Sequence, residues 1–140
     1  MLEIGLGEYI FDREARRVLL ARDPFGIKPL YWSAWPGAFA FASEQKALLK
    51  LPQVSRRADP QGLFDYLRFG LTDHGESTML QGIRSCPPAH WLQVSCDDAR
   101  VSAPVRYLDL HAPGEPAGSF EDSAARLREL FLESVRDRLR

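Results

Sequence analysis

The stretch Arg22-Asp23-Pro24-Phe25-Gly26-Ile27-Lys28-Pro29 constrains the fold more than any other part of the chain. Pro24 and Pro29 fix φ at either end. Gly26 between them can take the positive φ that a tight turn needs. Apolar runs flank it, Val18-Leu19-Leu20-Ala21 before and Leu30-Tyr31-Trp32 after. The pattern predicts a turn between two strands. Arg22, Asp23 and Lys28 leave two readings open. One is a salt bridge that pins two hairpins together. The other is contact with an anion or a substrate.

The rest of the chain repeats this grammar. Glu8-Tyr9-Ile10-Phe11 and Val18 to Asp23 flank a polar run and predict an antiparallel hairpin. Leu30 to Ser33 and Ala38 to Ala42 predict another, joined through Pro36-Gly37. In the second of these strands Phe39 and Phe41 share one face. Ala38, Ala40 and Ala42 share the other, where small side chains admit a close second layer. A short helix is expected from Gln45 to Leu51 with Ser43 as its N-cap. A second runs from Pro60 to Phe69, capped by Asp59 and ended by Gly70, with Leu63, Phe64 and Leu67 as its apolar face. From Thr78 onward the pattern is β again. Trp91 to Val94 reads as a strand, Asp97 to Arg100 as a hairpin tip, and Val101 to Tyr107 as a return strand weakened by Pro104. Residues 112–118 read as a linker. Ser119 to Arg140 is an amphipathic helix that opens on a capping box.

Composition removes whole classes of function. Eighteen basic residues against nineteen acidic leave a formal charge of −1, so bulk charge favours neither nucleic acid nor an anionic membrane. No apolar run approaches the roughly 18 residues that span a bilayer. Two cysteines, Cys86 and Cys96, make no disulfide framework. They point to a reducing, cytoplasmic setting and read as buried small hydrophobes. The three histidines, His74, His90 and His111, lack metal-ligand spacing. Asp97 and Asp98 are neighbours on a turn and read as a solvated pair. No phosphate loop, dinucleotide fingerprint or Gly-x-Ser-x-Gly elbow is present.

Five pieces in order carry a resemblance. They are Arg22 to Trp32 with Phe41 to Leu49, Tyr66 to Gly70, Gly82-Ile83-Arg84 after Thr78, Pro87 to Leu92, and Tyr107 to Leu110. The chain resembles the later half of the glutaminase domain of glutamine-hydrolysing asparagine synthetases, over about residues 10 to 140. The resemblance implies an α+β fold. A partial N-terminal-nucleophile type sandwich of antiparallel sheets with helices is followed by one isolated amphipathic helix. It divides the chain into a partial class II amidotransferase domain (1–111), a linker (112–118) and the first helix of an ATP-pyrophosphatase synthetase domain (119–140). The whole enzyme would convert aspartate, glutamine and ATP to asparagine, glutamate, AMP and pyrophosphate.

The departures shape the expectation. The family's nucleophile is an N-terminal cysteine whose own α-amino group serves as base. Here Leu2 follows Met1, and Cys86 and Cys96 are internal. The pyrophosphate loop also has no counterpart. No catalytic, cofactor-binding or metal residue is therefore carried over. ATP and Mg are implied only for the full-length family. Arg22, Asp23, Gly26, Lys28, Pro29, Ser43 and Glu44 are the motif positions assigned to the inner wall near the glutaminase–synthetase junction. The partners implied are the N-terminal half of the glutaminase domain and the synthetase domain, in cis or in trans, with neither nucleic acid nor membrane. Tyr31, Phe39 and Phe41 are expected to be exposed and to promote self-association. Two other readings stand beside this one. One is another amidoligase of the same architecture, of the β-lactam synthetase or lasso-peptide cyclase type. The other is a non-catalytic module completed by a partner chain.

Overall fold

A computed structural model describes residues 8–72, 75–109, 114 and 118–139. His74, His111 and nearly all of the expected linker lie outside them. The chain divides into two units, Met1–Asp109 and Leu110–Arg140.

Among its described residues the first unit holds seven strands and two helices. The elements are β1 (Glu8–Asp12), β2 (Arg17–Ala21), β3 (Tyr31–Trp35), β4 (Ala38–Ala42), α1 (Gln45–Leu48), α2 (Pro60–Phe69), β5 (Arg84–Ser85), β6 (His90–Ser95) and β7 (Val105–Arg106). One sheet has the order β1-β2-β6-β7 and the other β4-β3-β5. Every pairing is antiparallel. The expected α+β architecture of antiparallel sheets with helices is borne out.

Period-two alternation explains how the layers stack. Val18, Leu20, Leu92 and Val94 from the first sheet meet Trp32, Phe39 and Phe41 from the second, with Leu30 and Cys86 between them. The opposite face of β3 and β4 presents Tyr31, Trp35, Ala40 and Ala42. There it packs on Leu48 of α1 and on Val54 and Ile83. Strand β4 thus divides two cores, phenylalanines toward one and alanines toward the other, as its sequence predicts.

Helix α2 follows its caps. The Asp59 side chain accepts from the Gly62 N–H at 2.8 Å, and Gly70 closes the helix at φ +70°. Gly62 is buried because the helix lies on the backbone of Thr78. A Cβ there would stand 2.6 Å from the Thr78 carbonyl oxygen. The apolar side chains Leu63, Phe64 and Leu67 are exposed.

Several local expectations are corrected. Helix α1 stops at Leu48 rather than Leu51. Glu44, not Ser43, occupies its N-cap, without a side-chain capping bond. Ser43 is exposed. The return strand after the hairpin tip shrinks to a bridge at Val101 and the two residues of β7. Pro104, which cannot donate to a ladder, falls in the gap. Cys86 is buried, but Cys96 is exposed, since it sits just beyond the end of β6. Asp97 and Asp98 are solvated, each facing an arginine: Arg16 at 2.6 Å and Arg100 at 3.5 Å. Tyr31, Phe39 and Phe41 are half-buried rather than exposed, because α1 and the first sheet cover them. The exposed aromatics of the sheets lie on β1 instead, at Tyr9 and Phe11.

The second unit is helix α3, Phe120–Arg138. Its capping box is formed: the Ser119 hydroxyl accepts from the Asp122 N–H at 3.1 Å, and the Asp122 carboxylate accepts from the Ser119 N–H at 3.2 Å. Acidic Glu121 and Asp122 stand in the first turn and Arg136 and Arg138 in the last. Both placements favour the helix dipole.

Candidate functional site

Strand β2 ends by delivering Arg22 into the interior, where it is 2% exposed. A buried guanidinium needs acceptors for its N–H groups. The Nε donates to the Lys28 carbonyl at 3.0 Å and Nη2 to the Gly26 carbonyl at 3.0 Å. Nη1 donates to the Cys86 carbonyl at 2.9 Å and to Ser85 Oγ at 3.3 Å. The guanidinium fans onto three backbone oxygens and one hydroxyl. One side chain holds the turn closed and fastens it to the segment after β5.

Asp23 works the same turn from the other side. Its carboxylate accepts from the N–H groups of Phe25 (3.1 Å), Ile27 (3.0 Å) and Lys28 (3.0 Å). Burial alone would raise its pKa. The N–H groups of Lys28, Ile27 and Phe25 and the charge of Arg22 outweigh burial and lower it. A carboxylate with a depressed folded pKa contributes stability that is present above its unfolded pKa, near 3.9. That stability is lost as pH falls through the folded value. The acid limb of a stability–pH profile should therefore be shallower in Asp23→Asn than in the parent below pH ~4. Urea midpoints between pH ~2 and ~6 would measure it, and parallel limbs would remove the assignment.

Gly26 sits at φ +65° under Pro88 and against the Arg22 guanidinium. The Ala89 N–H donates to the Asp23 carbonyl at 3.1 Å. The Tyr107 hydroxyl donates to the Arg22 carbonyl at 2.7 Å, and the Tyr107 N–H to the Ala89 carbonyl at 2.9 Å. Burial, with the nearby Asp23 and Cys86, raises the Tyr107 pKa and keeps the hydroxyl a donor. The three sequence pieces at 22–32, 87–92 and 107–110 thus meet at one knot. Ser85, Cys86, Ala89 and Tyr107 belong to it. Ala89 and Tyr107 were visible as members of these separate motifs, while Ser85 and Cys86 lie between motifs and carried no signal, and no local pattern encodes the convergence.

The remaining predicted positions fall differently. Lys28 gives its backbone to the knot and leaves its side chain exposed, and Pro29 is half-buried. Ser43 and Glu44 are exposed. The Glu44 carboxylate pairs with Lys46 at 2.7 Å, and this exposed contact contributes little. Tyr31 pairs with Ala42, so the 22–29 turn and Ser43-Glu44 stand at the same end of the β3–β4 hairpin.

Burial pushes the Cys86 thiol up to about 11, against the attraction of Arg22 and with the repulsion of Glu76. It is a packed thiol, not a poised thiolate. A cleft of about 570 Å³ lies beside β3, lined by residues that include Trp32, Glu76, Gln81 and Arg84. None of the seven predicted positions lines it. Among the described residues no three His, Cys, Asp or Glu side chains are grouped to hold a metal ion. No helix among them is long and apolar enough to cross a membrane.

The sequence profile of the glutamine amidotransferase domain matches residues 7–107, the span that contains both sheets and the knot. The chain belongs to this glutamine amidotransferase family. The chain is 30% identical over 126 residues to asparagine synthetase 3 (glutamine-hydrolyzing) of Bacillus subtilis. That alignment covers 90% of the chain and 20% of the relative. It is 31% identical over 120 residues to a putative glutamine-hydrolyzing asparagine synthetase of Mycobacterium tuberculosis, covering 82% of the chain and 18% of the relative. The amidase chry2 of Gibberella zeae is 28% identical over 140 residues, covering 96% of the chain and 20% of the relative. The expected kinship with asparagine synthetases is borne out. The chain spans about a fifth of the length of the curated relatives it matches.

Proposed function

We propose that this chain serves a glutamine-hydrolysing, ATP-dependent amidoligase of the asparagine synthetase type, and that it supplies structure rather than reacting groups. The Arg22–Asp23 knot is the observation that carries this reading. Its charged groups are consumed in holding backbone, and its thiol is buried and protonated. In this reading the N-terminal nucleophile and the synthetase chemistry come from polypeptide beyond these residues, in a cytoplasmic enzyme. Among the described residues no three His, Cys, Asp or Glu side chains are grouped, and the sequence has no phosphate loop for ATP. No step is assigned to Mg or ATP here. In this reading the exposed Lys28, Ser43 and Glu44 meet a neighbouring domain, and Arg22, Asp23, Gly26 and Pro29 shape the wall behind them.

The pure 140-residue chain should release no ammonia from glutamine above a no-protein control. Release at a rate that scales with protein would overturn the structural role. The coding DNA on both sides supplies the second test. An in-frame Met-Cys-Gly start upstream and a Ser-Gly-Gly-x-Asp-Ser loop downstream would support the amidoligase. Stop codons on both sides would instead leave a module completed by a partner.

A second reading has its own support. The amidases chry2 and chyE match nearly the whole chain at 28% identity, close to the synthetases' 30%. These residues therefore do not by themselves separate a synthetase from a relative of another activity.

A further inference from the structure

Trp32 carries an unmet donor. The residue is 8% exposed, and its indole Nε1 is buried with no hydrogen-bond partner among the described residues. An indole N–H can only donate. Buried donors are almost always matched to an acceptor, so one left over points to a group that belongs beside it. The cleft of about 570 Å³ reaches this residue. It lies at the margin of the fold away from β1 and β4. One wall is β3 with the chain around β5, and the other is the 99–104 segment, which bridges to β6 at Val101. Its size is that of an ordinary small-molecule site.

Two further donors converge on the cleft. Arg84 stands opposite Trp32 in the β3–β5 register, and its guanidinium lies 5.6 Å from the centre of a Trp32 ring. Glu76 faces Arg84 at 3.6 Å, too far for a hydrogen bond. Strand β5 pairs with β3 at Tyr31 and Trp32 and no further. The Leu30 carbonyl accepts from the Cys86 N–H, so strand alternation turns the N–H of Ala34 to the same side, beyond the end of β5. The rim is fixed by its backbone. The Ser85 N–H donates to the Glu76 carbonyl at 2.8 Å, the Gln81 N–H to the Arg57 carbonyl at 3.0 Å, and the Thr78 hydroxyl to the Ile83 carbonyl at 2.8 Å. The facing wall carries Val101, Ala103 and Pro104 and is largely apolar.

We propose that this cleft binds a small organic carboxylate with an apolar body. The carboxylate faces Trp32 and Arg84, and the body lies along the 99–104 wall. Arg84 swings off the indole, which its exposed side chain is free to do, and forks onto the ligand. The N–H groups of Trp32 and Ala34 serve the remaining lone pairs. An ionised carboxylate has about four acceptor sites, which a guanidinium and two N–H groups fill. Glu76 stays at the rim and holds the ligand to a single negative charge. A phosphate monoester, with nearly two, is repelled more strongly. None of the seven motif positions lines the cleft, so this inference goes beyond the amidoligase reading and does not depend on it.

Titration of the full chain, labelled with nitrogen-15, with benzoate tests it. The chain has three tryptophans, so three indole N–H signals report on binding. The Trp32 signal should move downfield as its N–H gains an acceptor, and the movement should saturate below about 20 mM benzoate. Benzamide has the same shape without the charge and should bind at least about tenfold more weakly. Phenyl phosphate should also bind more weakly than benzoate. Arg84→Gln should weaken benzoate at least about tenfold, and Glu76→Gln should tighten it about two- to fivefold. Arg84 is exposed and Glu76 half-buried at the rim, so circular dichroism should not change. Ala103→Phe fills the facing wall and should abolish saturation. No saturable movement of the Trp32 signal, benzamide or phenyl phosphate binding as tightly as benzoate, or an Arg84→Gln variant that binds like the parent would overturn the proposal.

Discussion

Arg22→Met should be among the most damaging single substitutions in the chain. It removes the donors from the carbonyls of Gly26, Lys28 and Cys86 and from Ser85 Oγ in one step. Methionine fills much of the volume but satisfies none of them. Buried acceptors left without donors, together with the loss of charge-assisted bonds, place the cost at about 3–5 kcal/mol. A domain of this size has about 5–15 kcal/mol in total. The urea midpoint should fall steeply, or the chain should fail to refold. Arg22→Lys should recover less than half of the loss, because an ammonium cannot fork to carbonyls on both sides. A variant with the parent's midpoint would show that the fan contributes nothing net.

Gly26→Ala should follow it closely. Alanine at φ +65° is strained, and its Cβ would stand 2.8 Å from Pro88 Cγ and 3.2 Å from the Arg22 guanidinium. The backbone strain costs about 1 kcal/mol, and the contacts force either the 87–89 loop or Arg22 to move. Together the loss should be about 2–4 kcal/mol. Phe25→Ala, one residue away and exposed, should stay within about 0.5 kcal/mol. Because Gly26 and Arg22 touch, the double variant Arg22→Met with Gly26→Ala should lose less than the sum. Thermal melts of the four proteins would decide it. Equal losses in Phe25→Ala and Gly26→Ala would show a turn that tolerates rearrangement.

The parts legible in the sequence are those governed by short-range rules. The caps of α2 at Asp59 and Gly70, the capping box at Ser119, and the division of β4 between two cores each follow from residues within a few positions. The kinship was legible because five motifs keep their order. What local rules missed was decided from a distance. Ser43 has a good capping side chain, but the chain turns into α1 one residue later, at Glu44. The Arg22 fan stays hidden in the sequence because the Ser85 and Cys86 oxygens come to it from more than 60 residues away. Phe39 and Phe41 look like an exposed edge until the first sheet covers them. The knot's composition was visible, but its assembly was not, since proximity across sheets leaves no period in a sequence.

The bond from Tyr107 to the Arg22 carbonyl joins residues 85 apart, and β6 cannot reach β2 until most of the first unit exists. Such long-range pairing slows folding, because loop closure precedes the contacts that reward it. During synthesis the β1–β2 hairpin can form early, yet its inner face waits for Leu92 and Val94 to emerge. The last lock is Tyr107, at the boundary of the first unit. A unit arranged this way matures at its end: its earlier strands are held open by its later ones, and the knot closes only as the final residues of the unit arrive.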